Sequence, residues 1–305
     1  MAGLVVLEKM VMLVLLMLVG FLAAKGKWVD ESFGQKASFL VANVFIVATI
    51  LASVVGMEPL FSGRELVVSV VAVFILFAIG GVLGWICAKL LPLSPGDRTA
   101  AWLSVFFMNN VFIGFPVVEA LFGQNAVFCA ALTGLPFNLL LFSMGVSRLR
   151  AGQGRGRVRL REVFSPALIA TLVSIVFFLG QIPFPQLVAD TVQTLGGATV
   201  PLSMLIIGIS LSRVPVKEAL TDWRAYVVSL VRLILCPLVV WGVLRLFVSG
   251  TVLGVLTVIA ACPSGAMITI LSLRYGVDET FATRVNFVST VLCAGTLPLM
   301  THILL

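Results

Sequence analysis

"FFMNNVFIGFP", Phe106 to Pro116, lies within an apolar run long enough to cross a membrane. Two adjacent asparagines, a glycine and a proline are poor material for the middle of such a helix. Glycine weakens helix, and proline removes a backbone donor and clashes with the preceding turn. In hydrocarbon every freed backbone group needs a partner from the protein or from a water-lined cavity. The stretch therefore predicts an interrupted membrane helix, provided that the chain is in a membrane at all.

Composition meets that condition. Of 305 residues, 60% are hydrophobic and 11% charged, against about 25% charged in a soluble domain. Runs such as Leu66–Leu91 and Val227–Val248 have the length of a helical span, about 20 residues. They do not alternate in polarity, as the segments of a transmembrane barrel would. The five cysteines (Cys87, Cys129, Cys236, Cys262, Cys293) lie in apolar runs without a C-x-x-C pair, and His302 is the one histidine. They read as buried inert thiols, and zinc or haem is not expected. Lys25 and Lys27 follow the first apolar run, which fits a retained first span better than a signal peptide.

Ten spans are predicted: 4–24, 37–56, 65–91, 100–122, 126–147, 164–181, 187–212, 223–247, 251–275 and 279–303. The segment 148–163, "RLRAGQGRGRVRLREV", carries Arg148, Arg150, Arg155, Arg157, Arg159 and Arg161 and reads as a polar linker. With loops assigned alternately to two sides, 16 of the 20 Lys and Arg residues fall on one side, 3 on the other, and Arg232 inside a span. The basic side is expected to be cytoplasmic, with both termini outside. Anionic lipid or nucleic acid is the alternative use of the linker; a topology anchor is the preferred one.

The linker separates five spans (1–147) from five (164–305). An odd number per half makes the second half enter the membrane inverted. "GQNAVF" (Gly123–Phe128) and "GVDETF" (Gly276–Phe281) share G-x-[ND]-x-x-F at an offset of 153. Glycine suits a helix end there, and Asn125 or Asp278 the next N-cap. The ninth span contains "ACPSGAM", Ala261–Met267, and the offset sets Asn110 opposite Pro263. Interrupted helices at matching places in two halves point to a transporter binding site. Their second half-helices are expected to begin near Ile113–Phe115 and Ser264–Gly265. Their N-termini would then face one anion from opposite directions, with Asn109, Asn110 and Ser264 adding hydrogen bonds. Ordinary kinks satisfied by neighbouring helices are the plainer alternative.

"NNVFIGFPVVEALFG" resembles the N-x-x-F-x-G-x-P motif of the auxin efflux carrier family. "ACPSGAMITILSLRYGVDETFATRVNFVSTVLCAGTLPL" resembles that family's ninth and tenth helices. "SPALIATLVSIVFFLGQIPFPQLVADTVQTLGGATVPLSMLIIGISL" resembles its sixth and seventh. The resemblance implies an all-α polytopic membrane protein of ten transmembrane helices in two inverted five-helix repeats. The broken fourth and ninth helices would cross in a mobile domain, and the first, second, sixth and seventh would form a scaffold. It also implies substrate at the crossover and elevator-like alternating access. Asn109 and Pro116 fall on the motif asparagine and proline. Bacterial members are often called malonate or malate permeases, and plant auxin carriers are relatives; the short linker resembles the bacterial ones. Val47 stands where the second helix often has proline, and Ile268 where plant carriers have a second ninth-helix proline.

The expected substrate-binding set is Asn109, Asn110, Gly114, Pro116, Pro263, Ser264 and Gly265. Asn43 and Ser203 are secondary members, which the resemblance places opposite the crossover. Arg232, about two turns past Arg224, is expected chiefly to snorkel to the cytoplasmic face; a role in anion attraction or a salt bridge is the alternative. Glu119 is either a proton-coupling carboxylate or an exposed interfacial one. Thr133, Asn138, Asn286, Ser289 and Thr290 are expected as hydrogen-bonding glue between helices.

The functional expectation is a secondary transporter for a small organic anion, a mono- or dicarboxylate such as malonate or malate, in a bacterial cytoplasmic membrane. A receptor that binds without moving its ligand is the alternative. An intramembrane enzyme is disfavoured by the single histidine and the absence of an acidic cluster in the spans. No cofactor is expected, and coupling to H+ or Na+ is open. Expected partners are the anion, the bilayer and, as an open alternative, a second copy in a homodimer; nucleic acid is not expected.

Overall fold

The structure, a computed structural model, describes residues 2–56, 63–150, 164–212, 221–274 and 279–305. Among these residues twelve helical elements follow in order: α1 (Ala2–Lys25), α2 (Ser32–Ala52), α3 (Gly63–Leu90), α4 (Pro95–Phe106), α5 (Asn110–Phe122), α6 (Ala126–Leu149), α7 (Pro166–Gly180), α8 (Gln186–Leu211), α9 (Trp223–Leu244), α10 (Gly250–Ala260), α11 (Met267–Arg274) and α12 (Thr280–Leu304). Among the described residues there is no strand, only one isolated antiparallel bridge. Six stretches among the described residues are long and apolar enough to cross a membrane: α2, Glu65–Leu90 of α3, α6, α8, α9 and α12. Val11–Lys25 of α1, together with α5, α7 and α10, are shorter apolar helices.

Local sequence sets the boundaries. Ser94 and Ser165 accept from the backbone N–H groups of Asp97 and Leu168, and each precedes a proline in the first turn of its helix, α4 or α7. This is a favoured start, because proline there gives up a donor that has no helical partner. Gly123 closes α5 at φ 84°, a conformation that glycine adopts without strain. Asn125 precedes α6 as expected, but its side chain makes no capping bond. Its counterpart Asp278 and most of the arginine linker lie outside the described residues.

The helices pack in two groups. In one, α1 and α2 both pack on α8, and α7 packs on α2. Polar groups are satisfied inside this group: Thr49 Oγ1 lies 2.6 Å from Thr199 Oγ1, and Ser174 donates to Ile50 O. In the other, α9 contacts α3, α4, α10 and α12, while α3 lies along α4. Aromatic rings of Phe77, Trp102, Phe106, Phe107 and Phe137 fill the space between α3, α4 and α6, and Trp102 Nε1 donates to Gly81 O.

Asp222 fastens one end of the second group. It caps α9, pairs with Arg224 at 2.7 Å and reaches Arg284 of α12 at 3.6 Å, while Arg224 donates to Pro92 O. The hydrogen bond from Arg224 holds the Asp222 carboxyl below its ordinary range. A depressed carboxylate contributes stability that is present above its unfolded pKa, about 3.9, and is lost as pH falls through the folded value. Asp222→Asn is therefore expected to lower stability by about 1 kcal/mol at neutral pH. The difference from wild type should vanish in strong acid, as thermal melts across pH would show.

Candidate functional site

The two interrupted spans are interrupted in the structure, and the interruptions meet. Between α4 and α5, residues 107–109 leave the helix; between α10 and α11, residues 261–266 do so. Met108 and Ser264 form the antiparallel bridge. Asn109 N donates to Pro263 O at 2.8 Å, and Gly265 N donates to Phe107 O at 3.0 Å. Each broken segment thus satisfies backbone groups of the other, as an apolar surrounding requires. Ser264 N also donates to Ser289 Oγ of α12.

The break in the first span falls one turn earlier than expected. Helix resumes at Asn110 rather than at Ile113–Phe115, because Asn109 (φ −82°, ψ 67°) caps it: its Oδ1 accepts from Phe112 N at 3.2 Å. The first turn, Asn110–Gly114, is a wide π-turn, and Pro116 follows in the first turn of regular α-helix. The proline is thus absorbed in a continuing helix and does not open it. In the second span α11 starts at Met267, because Ser264 and Gly265 are held in the bridge.

The glycines serve close approach. A Cβ on Gly114 would meet Ile259 Cδ1 of α10 at 2.6 Å, and one on Gly265 would meet Met108 O at 3.2 Å. The asparagines divide their work. Asn110 is 2% exposed, and its Nδ2 donates to Thr133 Oγ1 at 3.0 Å, so its amide braces α5 against α6. Asn109 is half-buried, and with Oδ1 used as the cap its Nδ2 protons have no protein acceptor among the described residues. Ser264 is fully buried and its Oγ has no partner among the described residues.

Arg232 departs from expectation. It does not snorkel: it is 1% exposed and turns inward from a π-turn of α9, Val231–Leu235. Its Nε donates to Cys262 O at 2.9 Å, and its two terminal nitrogens to Val105 O at 3.2 Å and Ile259 O at 3.3 Å. These acceptors sit at the C-terminal ends of α4 and α10, where carbonyls run out of helical partners; Ile259 O also accepts from Cys262 N at 3.2 Å. Such concentrated partial negative charge competes well with a distant headgroup layer.

No hydrogen bond joins the side chains of the remaining candidates to the bridge among the described residues. Asn43 is half-buried, and its Nδ2 donates to Phe39 O on its own helix at 2.7 Å. Ser203 of α8 is fully buried, with its Oγ unpaired among the described residues. Glu119, on α5, is half-buried, and its Oε2 is enclosed without a hydrogen bond among the described residues, so it is neither a freely exposed carboxylate nor part of the bridge. A small, partly open recess lies where α1 and α8 meet α5 and α12. Leu13, Met17 and Met204 line one wall, and Ile113, Val117 and Thr290 belong to the other.

A family model described as membrane transport protein matches residues 5–149 and 155–301. A transporter of Methanothermobacter thermautotrophicus whose function is uncharacterized is 27% identical over 97% of this chain and 98% of its own length. A second uncharacterized transporter, from Methanocaldococcus jannaschii, is 25% identical over 98% of this chain and 99% of its own. With several helices fit to span a bilayer and both segments of the family model matched, the chain belongs to the membrane transport protein family of auxin efflux carriers, as a multi-pass membrane transporter rather than an enzyme.

Proposed function

We propose that the protein moves a small organic anion, a mono- or dicarboxylate of the malonate or malate class, across a bacterial cytoplasmic membrane by elevator-type alternating access. In this reading ten crossings form two inverted repeats, 1–147 and 164–305. The arginine linker 148–163 is cytoplasmic, and both termini are outside. The scaffold is α1, α2, α7 and α8; the moving part is the group that carries the bridge.

The observation that carries the proposal is the antiparallel pairing of the two breaks, Asn109 N to Pro263 O and Gly265 N to Phe107 O. The pairing sets the start of α5, just past Asn109, at the Pro263 end of the bridge and the start of α11, shortly past Gly265, at its Phe107 end, so that two helix N-termini flank the bridge; their positive ends and backbone N–H groups would favour an anion there. The Nδ2 protons of Asn109 and the Ser264 Oγ, which have no partner among the described residues, would complete the carboxylate's hydrogen bonds. The recess at the junction of the helix groups provides a surface on which one group can move past the other. Pro263, Gly114, Pro116 and Gly265 act here through backbone shape; Asn110 acts through its brace to Thr133.

A carboxylate that binds this site only in the folded state raises the melting temperature of the purified protein. The stabilisation is about 2.7 kcal/mol at a concentration 100 times Kd. A panel of mono- and dicarboxylates is expected to contain at least one that stabilises the wild type but not Asn109→Ala. Equal stabilisation of both would remove Asn109 from the site. A receptor would bind in the same assay but would give no tracer flux across a liposome.

A further inference from the structure

We propose that Arg232 is the positioning residue of the crossing: a single guanidinium caps the C-termini of both first half-helices and fixes how Asn109 and Ser264 are presented. Its importance for transport rests on the reading above; the clasp itself does not.

Three features carry the inference. Arg232 is 1% exposed, and among the described residues no carboxylate pairs with it. A buried charge without a counter-ion requires other compensation. Its acceptors are carbonyls from two helices, Val105 of α4 and Ile259 and Cys262 at the end of α10, all between 2.9 and 3.3 Å. The negative ends of two helix dipoles therefore converge on one positive group. The acceptors also lie close in sequence to the bridge: Val105 precedes Phe107 by two residues, and Cys262 adjoins Pro263. A shift of the guanidinium would move both halves of the bridge together.

The rigid fork of arginine reaches carbonyls in different directions at once, whereas the ammonium of lysine is a point charge on a flexible stem. Lysine is therefore a poor substitute, and a free guanidinium ion is a good one. Without the clasp, the carbonyls of Val105 and Cys262 are left without a partner among the described residues, Ile259 O keeps only its turn bonds, among them that from Cys262 N, and the turn that holds Cys262 loosens.

Cys262, fully buried, reports on the clasp, and Cys129, 1% exposed on α6, reports on the fold as a whole. The test is maleimide labelling of the full-length protein in detergent, with each thiol followed by mass spectrometry. In Arg232→Ala, Cys262 is expected to label roughly 10-fold faster or more than in wild type, because hydrogen bonds to a charged group have been lost. The Cys129 rate should stay unchanged. Millimolar guanidinium is expected to restore protection of Cys262 where sodium at equal ionic strength does not. Arg232→Lys is expected to fold with Cys262 still exposed to reagent, and supplies the readout if the alanine variant does not accumulate. Three results would each overturn the proposal: wild-type protection of Cys262 in Arg232→Lys, guanidinium acting no better than sodium, or Cys129 and Cys262 gaining reactivity in step. None of these measurements needs a substrate, so their outcome is independent of whether the transport reading holds.

Discussion

Gly208→Val is expected to prevent the folded protein from accumulating. Among the described residues α1 and α8 form the most extensive helix pair, and they cross at two glycines. A Cβ on Gly208 would overlap the backbone oxygen of Met17 and lie 2.8 Å from Phe21 N; one on Gly20 would overlap the oxygen of Leu205 and lie 2.8 Å from Leu205 Cα. Lipid tails are as apolar as side chains, so helices in a membrane associate through close packing, which small residues permit. The obstacle at both sites is backbone, and no rotamer change relieves it. Overpacking of this kind costs about 3 kcal/mol, a large part of the roughly 5–15 kcal/mol that holds a typical fold. Gly242→Val is the control, since nothing lies within 4 Å of a Cβ there. Yield and melting temperature in detergent should collapse for Gly208→Val and stay near wild type for Gly242→Val. A Gly208→Val protein that melts with the wild type would contradict the observed crossing.

Asn109→Asp is expected to abolish anion binding while leaving the fold intact. Aspartate is as good an N-cap as asparagine, so the bond from Phe112 N at the start of α5 is kept. The variant loses the two Nδ2 protons and gains a negative charge at the point where the anion is proposed to sit. Loss of one hydrogen bond to a charged group removes up to about 3 kcal/mol, which corresponds to more than 100-fold in Kd; charge repulsion adds to this. Titration of a stabilising carboxylate against both proteins measures the difference. Asn110→Asp probes the other amide. Its Nδ2 donates to Thr133 Oγ1, so the damage there should appear first as lost thermal stability.

The breaks themselves were legible because only a few residue types interrupt an apolar helix, and both stretches carry several of them. Their detailed roles were not. The sequence draws the eye to Gly114 and Pro116, yet the helix opens at Asn109, whose side chain takes the N–H of Phe112, whereas Pro116 only lacks an N–H of its own in a first turn where none is needed. Asn109 and Asn110 differ by one position, and that single step of helical phase sends one amide toward Thr133 and leaves the Nδ2 of the other without an acceptor among the described residues. Arg232 sits two turns from a helix start, where snorkelling is the usual outcome. Its true partners are carbonyls of Val105, Ile259 and Cys262, which come together only when α4, α9 and α10 are packed. Gly20 and Gly208 are lone glycines in separate apolar runs; nothing short of the helix pairing shows that they face each other's backbones. Local chemistry is written in short stretches, whereas tertiary acceptors are not.

The paired breaks are proposed to bind the anion that the protein carries across the membrane. Tracer uptake into proteoliposomes tests this most directly, with a carboxylate that stabilises the purified protein as the tracer. Wild-type vesicles are expected to take up the tracer saturably above the rate of protein-free liposomes, and Asn109→Asp vesicles holding the same amount of folded protein to fall to that background. Uptake through Asn109→Asp at the wild-type rate, or binding by the wild type with no uptake above background, would contradict the account.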